Sequence, residues 1–216
     1  APFKITKNNT LRLGDLAPNS TAATSKETIS FYKWLGDSWK ILFSHPADYT
    51  PVCTTKLGTV HDIQTNFQKK VNVATLSLDG VASHQGWIAD INKTQNTTVN
   101  FPMIADKDKS GAFYDTIHPN ADHNLTVRSI FVIPNKKVKL IIVYPASTER
   151  NFDELLRVVE IAIDAYHKVA THANQNNGDD CVIVPAVKNE DIPKLLPKGN
   201  EETTTYLRVT PQPNLE

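Results

Sequence analysis

Cysteine is nearly absent from this chain, with two residues, Cys53 and Cys181, among 216. Neither belongs to a Cys-x-x-Cys pair, and the seven histidines show no His-x-x-x-His or His-Glu-x-x-His spacing. That arithmetic argues against a structural zinc site, a disulfide framework and dithiol exchange, so neither a metal nor another cofactor is expected. An excess of charge is also missing. Lys+Arg and Asp+Glu each count 23, which leaves no basic stripe for nucleic acid and no like-charge tail. The short cluster Lys136, Lys137 and Lys139 reads as a solvated turn and strand edge. No apolar run approaches the roughly 20 residues that cross a bilayer. Ala1–Thr10 has no apolar h-region, so no secretory signal is expected. Five Asn-x-Ser/Thr sequons, beginning at Asn8, Asn19, Asn92, Asn96 and Asn124, carry little meaning without secretion. Two lone thiols suit a reducing compartment. The expected location is cytoplasmic, or mitochondrial if a leader has been removed.

What is present suffices for a sizeable core, since 40% of the residues are hydrophobic. Lys40–Ser44 is a short apolar run, expected as a buried strand that ends at His45-Pro46. A helix is expected from Pro51, with Leu57, Val60, His61 and Phe67 at loosely helical spacing. Val71–Leu78 is a second expected strand, and Ser83–Lys93 a helix with Trp87, Ile88 and Ile91 on one side. Ser129–Ile133 and Lys137–Tyr144 flank Pro134-Asn135 as a hairpin. Asn151, with Glu154 three residues on, is expected to cap a long helix striped by Leu155, Val159, Ala162, Ile163 and Tyr166. This order predicts an α/β fold with a mixed central sheet flanked by helices, compatible with a thioredoxin-like layout. Near Thr171 the chain turns polar and proline-containing, so residues 8–170 are expected as the main domain and 171–216 as a small C-terminal extension.

Cys53 falls between a strand end and a helix start. Unpaired N–H groups and the positive end of the helix dipole favour a thiolate there. Thr50 stands three residues before it, and Pro46 and Pro51 stiffen the loop. A lone cysteine is by default an inert core residue, but its neighbours argue otherwise.

Pro46-Ala-Asp-Tyr-Thr50-Pro-Val-Cys53 resembles the peroxiredoxin signature Pro-x-x-x-Thr-x-x-Cys. Phe43–Pro46, Val127–Val132, Tyr144–Thr148, Arg150–Glu154 and Leu207–Pro213 are similar to the one-cysteine, peroxiredoxin 6-like subfamily, and the likeness runs from about Leu11 to Pro213. The resemblance implies a thiol peroxidase acting on hydrogen peroxide and organic hydroperoxides. Cys53 would attack the peroxide and become a sulfenic acid. Thr50 would hydrogen-bond thiolate and peroxide, Pro46 would shield the sulfur, and Arg128 would stabilise the charge moving along the O–O bond. Arg150 matches a second supporting arginine. His45 matches a position near the site, against the alternative of a histidine satisfied by a backbone partner. The implied partners are an external thiol, of glutathione or thioredoxin type, and a second copy of the chain in a homodimer.

Three departures qualify the picture. The family commonly has Glu three residues after the cysteine, where this chain has Lys56; either another carboxylate orients Arg128 and Arg150, or the network is looser. Thr171 occupies the position of the resolving cysteine of two-cysteine members, which makes Cys181 a strand-end core thiol rather than a resolving one. A lipase triad reported for some members would need Ser38 with a histidine and an aspartate, and this chain has Tyr32 and Asn135 there, so no hydrolysis by that triad is expected. The alternative to the enzyme is a redox sensor or chaperone-type protein that uses Cys53 oxidation to change partners.

Overall fold

The computed structural model describes residues 11–66, 71–107, 128–145, 148–164 and 168–213, with 61–66 and 161–164 described by backbone alone. By packing, the chain divides into two compact units, Ala1–Arg150 and Asn151–Glu216. Composition divides it twenty residues later, at Thr171, because the helix Phe152–Asp164 has the amphipathic character of the first part yet groups with the second.

The first unit is organised around β3 (Trp39–Ser44), whose residues Lys40 to Ser44 are all buried. Two more elements precede it: the two-residue strands β1 (Thr21–Ala22) and β2 (Ile29–Ser30) pair antiparallel, and α1 (Phe31–Leu35) follows. After β3 the chain crosses over through α2 (Pro51–Asn66) to β4 (Val71–Ser77), and through α3 (Val81–Gln95) to β5 (Met103–Ala105). Both crossovers generate parallel pairs, as helical connections between strands do. β6 (Arg128–Ile133) then runs antiparallel beside β3, and β7 (Leu140–Tyr144) antiparallel beside β6. The sheet order β5-β4-β3-β6-β7 is the mixed sheet of a thioredoxin-like fold. Phe31, Leu35, Leu42, Ala74, Leu76, Ile104 and Phe131 form its core.

The elements agree with the sequence pattern in kind and differ at their ends. The hairpin turns at Asn135 and Lys136, which both adopt positive φ (50° and 65°), as a two-residue connection between twisted strands requires. Its second strand begins at Leu140 rather than Lys137, because Val138 is engaged by the N-terminal segment: Gly14 N–H donates to its carbonyl at 2.8 Å and its own N–H donates to Asp15 at 2.9 Å. α3 is longer than expected at both ends, and it stops at Asn96, a left-handed C-terminal residue. Its buried stripe is His84, Trp87 and Ile91, with Ile88 only half-buried. Phe67 and Tyr166 lie outside the described residues, as do the side chains of His61, Ala162 and Ile163.

In the second unit Asn151 caps the helix Phe152–Asp164 as its side chain suggests, Oδ1 accepting the N–H of Asp153 at 2.9 Å and of Glu154 at 3.2 Å. β8 (Val169–Ala170), β9 (Cys181–Ile183), β10 (Glu201–Thr204) and β11 (Leu207–Thr210) form an antiparallel sheet of order β10-β11-β9-β8. Cys181 opens β9, fully buried among Val169, Ile183, Val187, Ile192 and Leu196. Arg208, also buried, ties β11 to the turn before it by donating to the carbonyls of Val187 (2.8 Å) and Val184 (3.3 Å) and to Asn189 Oδ1 (2.6 Å).

Candidate active site

β3 ends at Ser44, and the chain turns through His45–Thr50 into α2. Pro51 is the first helical residue, a place where its fixed φ is preorganised, and Cys53 is the third. The register of β3 and β6 pairs Phe43 with Ile130, which carries the start of β6 to the same end of the sheet. Ser129 N–H donates to Ser44 Oγ at 2.9 Å there. Arg128 thus reaches the sulfur: its Nη1 donates to Cys53 Sγ at 3.3 Å. Cys53 is fully buried and Arg128 nearly so, while Pro51 and Val52, which precede the cysteine, are exposed.

A carboxylate that the sequence reading did not single out organises the cations. Glu149 Oε2 accepts Arg128 Nη1 at 2.8 Å. Glu149 Oε1 meets Arg150 Nη1 at 3.3 Å, the Arg150 backbone N–H at 3.0 Å and Lys56 Nζ at 3.3 Å. Arg150 is buried, stands over the Phe43 ring at 5.6 Å, and donates Nη2 to the carbonyls of Ser44 and of Ser129, the latter at 3.0 Å. Burial pulls the Arg150 guanidinium down to about 9, with attraction to the Cys53 sulfur opposing; it remains charged at neutral pH.

Pro46 and Thr50 line the loop, both half-buried. The hydroxyl proton of Thr50 goes to Ala47 O at 3.2 Å, so this arrangement departs from the expected donation to the thiolate. What the hydroxyl presents is a pair of lone pairs, which suit the O–H of a peroxide. His45 is buried in a second network. Its Nε2 lies 2.9 Å from Asp48 Oδ1, its N–H donates to Leu76 O at 3.0 Å, and its ring lies 5.1 Å from that of Trp87. Asp48 Oδ2 also takes His84 Nδ1 at 2.8 Å and the Ser83 hydroxyl at 2.7 Å. The backbone N–H of Asp48 donates to Asp79 Oδ2 at 2.9 Å. Burial disfavours ionised Asp48, but the bonds from His45 and His84 outweigh it and hold the carboxyl well below the usual range. Burial likewise pushes the His45 imidazole down, against the opposing pull of Asp48. Trp87, whose ring packs on His45, donates Nε1 to Thr54 Oγ1 at 3.0 Å and so links this network to α2.

Asp48, His84 and Glu149 thus escaped the sequence reading. Asp48 lies inside the signature, at a position the pattern leaves free; His84 had the i, i+3, i+7 spacing with Trp87 and Ile91. Glu149 had only its adjacency to Arg150. His45, Asp48 and His84 are the one described cluster of metal-ligand type, and their facing atoms already hydrogen-bond one another. Away from this site, Ser38 accepts from Lys40 Nζ and from Asn72 Nδ2 (3.3 Å), and the Tyr32 hydroxyl donates to Ala17 O at 2.7 Å.

Residues 13–141 match the AhpC/TSA family. The 1-Cys peroxiredoxin of Dictyostelium discoideum is 47% identical over 210 residues, which cover 95% of this chain and 87% of that protein. A solved peroxiredoxin 6 of Arenicola marina superimposes with a TM-score of 0.82 at 39% identity, over 95% of this chain and all of that one. The yeast mitochondrial 1-Cys peroxiredoxin, solved in a study of its thiol resolution by glutathione and thioredoxin systems, gives 0.83 at 38% identity, over 94% of this chain and all of its own. With a helix-start cysteine bonded by a distant arginine, and with relatives this similar along nearly its whole length, the chain belongs to the AhpC/TSA family as a one-cysteine peroxiredoxin.

Proposed function

We propose that the chain reduces hydrogen peroxide and organic hydroperoxides with Cys53, and that Arg128 Nη1 at 3.3 Å from the sulfur is the observation that carries this reading. The thiolate is the attacking form. Its electron pair forms a bond to the terminal peroxide oxygen as the O–O bond breaks. Sulfur is oxidised by two electrons to the sulfenic acid, and the leaving oxygen departs as alkoxide or hydroxide and takes up a proton. A guanidinium fixed beside the sulfur stabilises the charge as it passes from sulfur to the leaving oxygen. Thr50 supports this by offering lone pairs to the peroxide O–H, and Pro46 by covering the sulfur's outer side.

The cycle closes when an external thiol condenses with the sulfenic acid, releasing water, and a second thiol frees Cys53 and leaves as the disulfide. Glutathione or thioredoxin fills that role in this reading, in the cytoplasm or in mitochondria; the study of the yeast relative supports both reductants. None of the described helices is long and apolar enough to cross a membrane. Residues 8–170 are assigned as the peroxidase domain and 171–216 as an extension associated with a homodimer, a role that the exposed Tyr206 and Leu207 support. Mass spectrometry after one equivalent of peroxide, with and without Cys181→Ser, tests the chemistry. A sulfenic or sulfinic adduct on Cys53 is expected in both proteins; a Cys53–Cys181 disulfide, or peroxide consumption that survives Cys53→Ser, defeats the proposal.

A further inference from the structure

We infer that Glu149 is the positioning residue of this active site, replacing from the far side of the cations the carboxylate that the family commonly places one helical turn after the cysteine, and that Lys56 is the cation that holds it there. The inference rests on the peroxidase reading and adds to it how Arg128 is aimed.

The geometry leaves one carboxylate shared by three cations. Arg128, Arg150 and Lys56 each approach Glu149, within 2.8 to 3.3 Å. The two carboxylate oxygens are divided between them: Oε2 takes Arg128, and Oε1 takes Arg150 and Lys56. Arg128 uses the same Nη1 for Cys53 and for Glu149. A guanidinium is a planar fork, so fixing the carboxylate side of that nitrogen fixes how its remaining N–H faces the sulfur. The Arg150 side chain is anchored independently to the carbonyls of Ser44 and Ser129, and so serves as the fixed post against which Glu149 is braced.

Lys56 explains itself in the same terms. It stands on α2 three residues after Cys53, on the same helix face, with its side chain only 1% exposed. An ammonium so placed needs an anion, and among the described residues Glu149 is its ion-pair partner. A glutamate at 56 would meet the arginines from α2. With lysine at 56, the carboxylate has moved to the segment just before Arg150, and the lysine holds it from the helix. Glu149 itself is partly solvated, its side chain 28% exposed, so a neutral glutamine fits there without leaving a buried void. The residue acts on peroxide only through Arg128.

The test compares two rates on Cys53, oxidation by hydrogen peroxide and alkylation by iodoacetamide, in wild type, Glu149→Gln, and Lys56→Glu combined with Glu149→Gln. Alkylation needs the sulfur but not a cation aimed at an O–O bond. In Glu149→Gln the peroxide rate is expected to fall about tenfold or more, the scale of a misplaced catalytic group, and the alkylation rate by much less. In the double variant, which returns the carboxylate to α2, the peroxide rate is expected to recover at least about fivefold, as directly coupled sites do. An unchanged peroxide rate in Glu149→Gln overturns the inference. So does an equal fall in both rates, which is what general loosening gives, and so does a folded double variant that recovers nothing. A wild-type protein without Cys53-dependent peroxide consumption would instead defeat the peroxidase reading, which keeps the two failures distinct.

Discussion

At the scale of single residues, the buried pair His45 and Asp48 makes stability depend on acid in a way that can be worked out by sign. Both groups have folded values below their ordinary ones, so in acid the unfolded chain binds protons that the folded chain refuses, and folding weakens. His45 acts first, as pH falls below about 6.5, where a free imidazole begins to charge; Asp48 follows only below about 4. Asp79 and His84, the other charged or titratable groups against this pair, stay in place in the test. The thermal midpoint is therefore expected to drop between pH 7 and pH 5, and His45→Gln to flatten that part of the curve, as read by differential scanning calorimetry. A midpoint equally sensitive in the variant would show that His45 is not the group concerned. The sequence revealed the catalytic cysteine, Thr50 and the arginines because a fixed spacing marks them. It did not reveal Glu149, whose meaning depends on a segment folding back between Arg128 and Lys56, or Asp48, which becomes visible only when α3 brings His84 against it.

At the scale of elements, the site depends on how closely α2 lies against α3. Gly58, on α2, faces Gln95 at the end of α3, and a Cβ on it would stand 2.7 Å from Gln95 Cβ and 2.8 Å from its Cγ. These are atoms near the backbone, not a flexible tip, so the helices must separate to admit a methyl group. Gly58→Ala is expected to cost about 1 to 3 kcal/mol, as overpacking does, despite the better helix propensity of alanine; urea unfolding measures it. A gain in stability would mean that the contact relaxes freely. Helix and strand identities were legible because β3 reads as an apolar run and the hairpin carries Pro134-Asn135. Ends were less so. β7 starts late since Val138 is taken by Gly14 and Asp15, a partnership between distant segments that no local pattern records.

At the scale of the whole molecule, the mixed sheet and the antiparallel C-terminal sheet belong to separately packed units. The change of character at Thr171 anticipated a second part of the chain, but it misplaced the helix Phe152–Asp164, whose apolar stripe says that it packs without saying against what. The homodimer reading predicts a sedimentation mass near twice the 24.0 kDa of one chain. Tyr206→Asp, at a side chain 78% exposed, is expected to shift that mass toward the monomer. A monomeric wild type would remove the assembly from the proposal.

The sulfur of Cys53 is wholly covered while Pro51 and Val52 just before it face water. Reagents in bulk solvent therefore meet it only when the first turn of its helix breathes. Every observed rate at this thiol is then a product, an opening equilibrium multiplied by an intrinsic reactivity. For two small reagents that share the same opening, the first factor divides out of their ratio, and what is left reports the arginine alone.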